Sequence, residues 1–388
     1  MAEWVMKKLK DIAEFNPRES LAKGVVAKKV AMDKLQPFCR DIPGYELEPF
    51  SGGTKFRNGD TIMARITPCL ENGKTAKVAV LDEGEVGFGS TEYIVFRAKD
   101  GIDEDFIYYL VCSPLVREPA IKSMVGSSGR QRVQTDVVQN LEIIVPDYEE
   151  QKQISGILKS LDDKIVANTE INKNLLEQAQ SIFTQEFLML DRIPDGWQES
   201  SLLGIADYLN GLAMQKYRPK DDEQGLPVIK IKELRQGSCD FNSELCSPSI
   251  KPEYIVHDGD VIFSWSGSLL VDLWCGGTCG LNQHLFKVTS STYDKWFYYA
   301  WTNHHLQKFA AIAADMATTM GHIKREELSK AEVLIPSQSD YDRIGGLLAP
   351  LYDLVIANRI VNRKLASLRD ELLPQLMSGQ IDVSEVSL

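Results

Sequence analysis

Two segments of the chain carry apolar residues at the seven-residue spacing of a coiled-coil seam. The seam positions are Ile154, Leu161, Asn168, Leu175 and Ile182 in the first segment, and Ile344, Leu351, Asn358, Leu365 and Leu372 in the second. An asparagine occupies the same place in both, which suits a polar pair that fixes helix register, although a solvent-facing asparagine is the alternative. The spacing predicts two long helices that can pair with each other.

Each predicted helix starts at a residue that can cap it. Asp147 precedes Glu150 by three positions, and Ser337 precedes Asp340 by three, which is the spacing of an N-terminal capping box or a near relative of one. A helix of about 40 residues is about 60 Å long. If the two helices pack antiparallel, they would act as a spacer rod with the globular segments at its two ends.

The globular segments show short apolar runs bounded by glycine-rich turns, a pattern typical of mixed α/β structure. Strands are predicted at 61–65, 77–81, 93–98, 141–145, 261–265, 285–288 and 332–335, and helices at 106–117 and 296–313. We therefore predict an α/β protein in which two mixed α/β heads are separated by two long helices that form an antiparallel coiled coil. The predicted segments are head one (1–148), spacer helix 1 (149–190), head two (191–336), and spacer helix 2 with a C-terminal tail (337–388).

The second half of the chain repeats the first. Residues 107–187 align with 297–377 without a gap, so that Val145-Pro146 meets Ile335-Pro336. The centres, roughly 66–105 and 266–295, barely match. A common frame around a divergent centre is expected if both heads do one job on different targets, and it would also arise from drift after an old duplication.

Composition changes this picture little. The chain has 388 residues with a net charge of −12, and none of the four segments is basic overall. Any nucleic-acid surface must then be a local patch, and a plain acidic soluble protein is the alternative. The sequence favours a cytoplasmic protein with no membrane segment. Its seven cysteines are scattered, its N-terminus lacks the shape of a signal peptide, and no window approaches the about 20 apolar residues that span a bilayer.

Motifs for catalysis are absent. The sequence has no Walker A or Gly-x-Gly-x-x-Gly string, and residues 16–18 are not the Asn-Pro-Pro-aromatic motif of amino methyltransferases. Asp147 and Glu150 imitate a nuclease motif but lie too close for two strands to present both to one metal. Cys275, Cys279 and His284 could suggest a metal, yet head one has no equivalent, so buried thiols are favoured. We expect no catalytic residue and no metal site.

Recognition chemistry remains. The loop 126–132 places small residues, which let a backbone approach phosphate, beside arginine and glutamine, which can read guanine and adenine. The candidate DNA-binding residues are Lys55, Arg57, Arg65, Lys74, Lys77, Ser128, Arg130, Gln131 and Arg132 in head one, and Lys216, Arg218, Lys230, Lys232, Thr318, Thr319, His322 and Lys324 in head two. Gln283 and His284 are further candidates. For each of them a solvated surface group, or a satisfied polar group in the fold, is the alternative.

The order of head, helix, head and helix resembles the specificity (S) subunit of type I restriction–modification systems. The string FRNGDTIMARITPCLENGK at 56–74 is very similar to a stretch common in that family, as are GSTEY at 89–93 and IPDGW at 193–197. The resemblance covers nearly the whole chain. Head two departs from it, since residues 266–270 lack the Thr-Pro-x-Leu-Glu-Asn-Gly string, so its DNA-reading residues are expected to differ.

The resemblance implies a non-catalytic subunit whose two duplicated heads are target recognition domains, each of which reads one half of a split double-stranded DNA target. It implies that the helices set the gap and dock methyltransferase (M) subunits, two in number, and that restriction (R) motor-nuclease subunits join for cleavage. S-adenosylmethionine, ATP and Mg²⁺ would be bound by those partners and not by this chain. The competing hypotheses are a free-standing nuclease or methyltransferase, which the missing motifs disfavour, and a coiled-coil scaffold without a DNA role.

Overall fold

A computed structural model describes residues 4–127, 129–315, 323–383 and 386. Contacts divide the chain into unit 1, which comprises Met1–Ile165 and Leu365–Leu388, and unit 2, which comprises Val166–Lys364. Each unit therefore combines one head with part of each long helix. The segment boundaries at 148, 190 and 336 remain a prediction about the order of the heads and helices along the chain, whereas the contact units cut through both helices.

Unit 1 holds two four-stranded sheets and one two-stranded sheet. Its elements are β1 (Val5–Lys8), α1 (Leu9–Ile12), β2 (Ala13–Phe15), β3 (Val26–Val30), β4 (Glu46–Pro49), β5 (Thr54–Phe56), β6 (Thr61–Ala64), β7 (Thr75–Lys77), β8 (Gly87–Gly89), β9 (Tyr93–Ala98), α2 (Glu104–Cys112), α3 (Pro114–Lys122), α4 (Thr135–Gln139), β10 (Glu142–Val145) and the start of α5 (Tyr148–Phe183). The strand orders are β2-β9-β6-β7, β4-β3-β8-β5 and β1-β10.

Unit 2 holds the rest of α5, which a π-helical turn at Thr184–Leu188 continues. Its further elements are β11 (Gln198–Ser201), α6 (Leu202–Ile205), β12 (Asp207–Asn210), β13 (Leu226–Ile229), α7 (Ile231–Gln236), β14 (Leu245–Cys246), β15 (Ile255–Val256), β16 (Val261–Ser264), β17 (Leu270–Leu273), β18 (Cys279–Leu281), β19 (Leu285–Thr289), α8 (Lys295–Asp315), α9 (Arg325–Ser329), β20 (Glu332–Ile335) and the start of α10 (Gln338–Met377). The strand orders are β12-β19-β16-β17, β14-β13-β18-β15 and β11-β20.

The two heads share one topology, strand for strand. Each strand of head two takes the place in its sheet that the strand ten numbers lower takes in head one. The parallel pairing is also repeated, because β3 pairs with β8 and β13 pairs with β18 in parallel while the other named pairs are antiparallel. The divergent centres of the repeat therefore fold alike although their sequences barely match, so the repeat conserves the frame and changes the side chains.

The long helices begin where the sequence predicts. The Asp147 carboxylate accepts a hydrogen bond from the backbone N–H of Glu150 at 2.9 Å, and the Ser337 hydroxyl accepts one from the backbone N–H of Asp340 at 3.3 Å. Both caps satisfy N–H groups that lack a partner within the helix.

The predicted seam lies between α5 and α10 in each unit. In unit 1, Ile154 and Leu158 share a core with Leu376 and Met377. In unit 2, Ala179 and Phe183 share a core with Ile344 and Leu348. Within unit 2, Asn168 pairs with Asn362 whereas Asn172 pairs with Asn358, so the two helices run antiparallel there. Burial of the apolar stripe stabilises the pairing. None of the predicted seam residues is exposed.

Buried polar groups interrupt the seam. In unit 2, Asn168 donates to Asn362 at 2.8 Å, and Asn358 donates to Asn172 at 2.9 Å. Asn168 and Asn358, the two seam asparagines, therefore do not bond each other. Each bonds the asparagine that lies four residues after the seam asparagine of the partner helix. In unit 1, Arg369 donates to Asp162 at 2.7 Å, an ion pair that the seven-residue pattern does not reveal.

One helix, α10, is long and apolar enough to cross a membrane by length and composition, with a window of mean hydropathy 1.4. This corrects the expectation that no window approaches a membrane span. The finding is weak evidence for a membrane segment, because helices in the cores of soluble proteins pass the same test. In unit 2 the same helix forms ion pairs through Arg359 with Asp272 and through Arg363 with Asp258, each at 2.7 Å.

Candidate nucleic-acid interface

The predicted DNA-reading loop of head one is pinned at its base. Backbone hydrogen bonds join Val125 and Arg132 in both directions, at 3.0 and 2.9 Å. The backbone N–H of Thr67 donates to the carbonyl of Gln131 at 3.0 Å, which ties the loop to the residues that follow β6. The Arg130 side chain is exposed, and Gln131 is half-buried. Ser128 lies outside the described residues. The loop therefore presents Arg130 from a fixed base.

Arg132 and Arg65 converge on one carboxylate. Arg132 donates to Glu92 at 2.6 Å, and the Arg65 guanidinium lies 4.0 Å from the same side chain. The hydrogen bond from Arg132 holds the pKa of Glu92 below its ordinary value. Two of the predicted DNA contacts are thus held in a defined geometry by an acidic residue from the turn between β8 and β9.

The other cations of head one are also held by the fold. Lys55 donates to the carbonyl of Glu19 at 2.9 Å, and Arg57 pairs with the Glu19 carboxylate at 2.7 Å. Lys74 donates to the carbonyl of Met32 at 2.8 Å. Lys55 and Lys74 are half-buried, whereas Arg57 is exposed.

Lys77 is held inside the fold. Its side chain is only 11% exposed, and its ammonium pairs with Glu104 at 2.9 Å and also with Asp105. These contacts form a structural ion pair. The assignment of Lys77 as a DNA contact stays a prediction.

In head two, three predicted cations surround two carboxylates. Glu244 pairs with Arg218 at 2.6 Å and with Lys230 at 2.5 Å. Lys232 donates to Asp240 at 3.0 Å, and this hydrogen bond raises the pKa of Lys232 and lowers that of Asp240.

Of the remaining candidates of head two, Lys216 lies two residues before Arg218, and Lys324 lies far from this cluster along the chain. Lys216 is exposed at the end of a single helical turn, Met214–Lys216, and Lys324 is exposed immediately before α9. Thr318, Thr319 and His322 lie outside the described residues.

Each head opens a cleft where its parallel strand pair ends. In head one a cleft of about 410 Å³ lies at the carboxyl ends of β3 and β8. In head two a cleft of about 320 Å³ lies at the carboxyl ends of β13 and β18. The lining residues include Lys29, Glu48, Gly53, Ser90 and Thr91 in head one, and Lys230, Lys232, Glu244, Asn282, Gln283 and His284 in head two. The two clefts have equivalent positions in the shared topology and different chemistry.

The comparison with known proteins agrees with this duplicated architecture. A sequence profile of the family described as type I restriction modification DNA specificity domain matches residues 1–178 and, as a second copy, residues 194–365. The chain belongs to this family. As a specificity subunit it is 25% identical to the type I restriction enzyme MjaIX specificity subunit of Methanocaldococcus jannaschii, over 74% of this chain and 71% of that relative.

Two further comparisons extend over most of the chain. The HindI specificity subunit of Haemophilus influenzae is 19% identical, over 88% of this chain and 89% of that protein. The crystal structure of a type I restriction-modification S subunit from M. genitalium shares the fold, with a TM-score of 0.55 and 13% identity over 97% of this chain and 96% of that one. The resemblance to the specificity subunit is thereby confirmed in family and fold.

The sequence prediction misses part of the specificity subunit's clefts. Ser90, Thr91 and Asn282 line them but carry no charge, so a search for basic residues passes over them. The signal that could find them is positional: all three follow a short strand, in segments that the repeat does not conserve. Among the described residues, no group of three or more His, Cys, Asp or Glu could hold a metal ion.

Proposed function

We propose that this specificity subunit reads a split DNA target, with head one contacting one half-site and head two the other. The observation that carries the proposal is the repeated topology around divergent clefts, because two copies of one frame with different side chains can present different hydrogen-bonding groups to two DNA sequences. The subunit itself performs no catalysis and works within a methyltransferase and restriction endonuclease complex. We place that complex in the cytoplasm, where the seven free thiols stay reduced.

The paired helices set the gap between the half-sites and dock two methyltransferase subunits. In unit 2, α10 leaves Leu347, Leu354 and Val361 exposed by 47%, 46% and 41%. These residues repeat every seven positions on a helix that is already paired with α5, which suits a further helix packing beside the pair. Such an apolar stripe supports docking of a helical segment from a methyltransferase subunit.

The partner subunits supply the chemistry and much of the phosphate contact. The chain has a net charge of −12, and most predicted DNA-contacting cations with described side-chain contacts already hold a carboxylate. Phosphate neutralisation by free Lys and Arg is the main source of sequence-independent DNA affinity. The partner subunits would therefore supply much of the phosphate contact. As the resemblance to the family implies, the methyltransferase subunits would bind S-adenosylmethionine, and the restriction subunits that join for cleavage would bind ATP with Mg²⁺.

The loop of head one offers a direct test. Charge reversal by Arg130→Glu and Arg132→Glu is expected to lower site-specific methylation by the complex at least tenfold, because it replaces two cations beside the DNA with anions. Circular dichroism should show a folded chain, since both side chains are exposed. Methylation of a duplex carrying the recognised site is the measurement.

The matched control is Lys122→Glu, which reverses an exposed charge on α3 of the same head. It should leave methylation within a factor of two of wild type. If the double variant methylates as fast as this control, the loop does not contact DNA.

A further inference from the structure

A three-residue turn has the same hydrogen bonds in both heads but is built from different residues. In head one the Ser90 hydroxyl accepts from the backbone N–H of Glu92 at 3.1 Å. In head two the Asn282 side chain accepts from the backbone N–H of His284 at 3.2 Å. The next strand starts at the same register, because Tyr93 pairs with Ala64 and Leu285 pairs with Ser264. The turn is thus a fixed support on which the following side chains vary.

Each turn forms one wall of its cleft. Close backbone packing keeps the wall of head one in place, since a Cβ on Gly53 would lie 2.1 Å from the carbonyl oxygen of Gly89. The second residue of the turn is Thr91 in head one and Gln283 in head two, and both line the cleft. Thr91 is exposed and Gln283 half-buried, so both remain accessible.

The Gln283 amide is held in one orientation. Its Oε1 accepts from the Asn282 amide at 3.0 Å, and its Nε2 lies 3.4 Å from Nε2 of His284. The other ring nitrogen of His284, Nδ1, lies 3.2 Å from the Ser266 hydroxyl. An amide has two acceptor sites and two N–H groups, so Gln283 keeps one of each for a ligand. That pair of groups is complementary to N6–H and N7 of adenine.

We propose that Gln283, the second residue of this turn in head two, contacts an adenine edge and determines which base head two reads at that position of its half-site. The assignment rests on the proposed function of the subunit. Lys230 and Lys232 line the same cleft as Gln283, so cationic side chains stand beside the proposed base contact. Asn282 and Ser90 are positioning residues, because they hold the turn.

The test is Gln283→Ala in the full chain, expressed with its methyltransferase partner, with methylated positions mapped by sequencing cellular DNA. The wild type should give a split motif. The variant should accept other bases at one or two adjacent positions in one half-site, with discrimination there reduced about 10- to 100-fold. The other half-site and the gap should stay unchanged.

Gln307→Ala, an exposed glutamine on α8, is the control and should leave the motif intact. A wild-type motif in Gln283→Ala would overturn the inference while leaving the proposed function standing. A wild-type chain that yields no chain-dependent motif would overturn the proposed function itself.

If Gln283→Ala abolishes methylation completely, Gln283→Glu is the variant that interprets the loss. Glutamate keeps the side-chain length and the acceptor for the Asn282 amide but lacks the N–H groups of glutamine. A shift toward cytosine, whose N4–H group a carboxylate accepts, supports base reading by this residue. Loss of methylation or an unchanged motif in Gln283→Glu contradicts it.

Discussion

Replacement of Arg369 by leucine is expected to lower the free energy of unfolding by about 3–5 kcal/mol. Arg369 is 9% exposed, and Asp162 is 4% exposed. The Asp162 carboxylate accepts from Arg369 at 2.7 Å and from the Tyr109 hydroxyl at 2.7 Å. Without the guanidinium, the carboxylate stays in the packed interface of α5 and α10 without a cation. Urea denaturation of the full chain, followed by circular dichroism, measures the loss.

Two variants separate the buried ion pair from the rest of the site. Asp370→Asn removes the other carboxylate that Arg369 contacts, at 2.8 Å. Because the Asp370 side chain is 59% exposed, this variant should lower the free energy of unfolding by less than about 1 kcal/mol. The double variant Asp162→Leu with Arg369→Leu should be more stable than Arg369→Leu alone, because no uncompensated charge remains. Equal stability of Arg369→Leu and Asp370→Asn would refute the buried-charge argument.

Insertion of seven residues into α5 alone is expected to abolish assembly of the methylating complex. From the sequence alone, inserting seven residues after Asn168 is expected either to change the gap between half-sites or to abolish assembly. The structure favours the second outcome, because Asn168–Asn362 and Asn172–Asn358 are bonds between two helices in fixed register. Seven extra residues in one helix alone shift it against the other helix. Residues of α5 on one side of the insertion then no longer face the residues of α10 that they bond. Co-purification with the methyltransferase subunit measures assembly.

Matched insertions give the opposite expectation. Seven residues placed after Ile165 and seven after Lys364 lie at the limits of the two contact units, so every bond within each unit is kept. Each helix gains about 10 Å and close to two full turns, which is about three base pairs of B-DNA. The gap between half-sites should lengthen by about three base pairs with both half-sites unchanged. A motif with the wild-type gap would show that the helices do not set the spacing.

The sequence predicts the long elements well because their pattern repeats many times. The two helices follow from ten seam positions, and β9 and β20 appear at the predicted residues. Short strands escape prediction, since β8 is Gly87–Gly89 and β14 has two residues, too few to show alternation. The strand predicted at 77–81 is wrong: β7 ends at Lys77, and Val78 then bonds the Asp60 carbonyl in the turn before β6.

The predicted helix at 106–117 is divided in the structure. Helix α2 ends at Cys112, and α3 starts at Pro114. Proline has no N–H for the preceding turn, and its ring clashes with a continued helix. The equivalent helix of head two, α8, has no proline and runs unbroken over Lys295–Asp315.

The candidate site was only partly predictable, because its geometry depends on distant partners. Residue type alone suggests Arg132 and Lys230 as DNA contacts. The carboxylates that hold them, Glu92 and Glu244, come from other elements of each head, and local sequence does not show such pairings. A search for charged residues does not find the turns at 90–92 and 282–284. These turns are defined by a backbone N–H that donates to the side chain of Ser90 or Asn282.

The most direct test of the central claim is a map of methylated positions in cells that carry this chain with its methyltransferase partner. If each head reads its own half-site, the map should show one motif with two specified half-sites separated by a gap of unspecified bases. That motif should disappear when the chain is deleted. In a chain whose residues 191–336 come from another specificity subunit, one half-site should change and the other should persist. A single uninterrupted motif, or both half-sites changing together, would contradict the claim that each head reads its own half of the target.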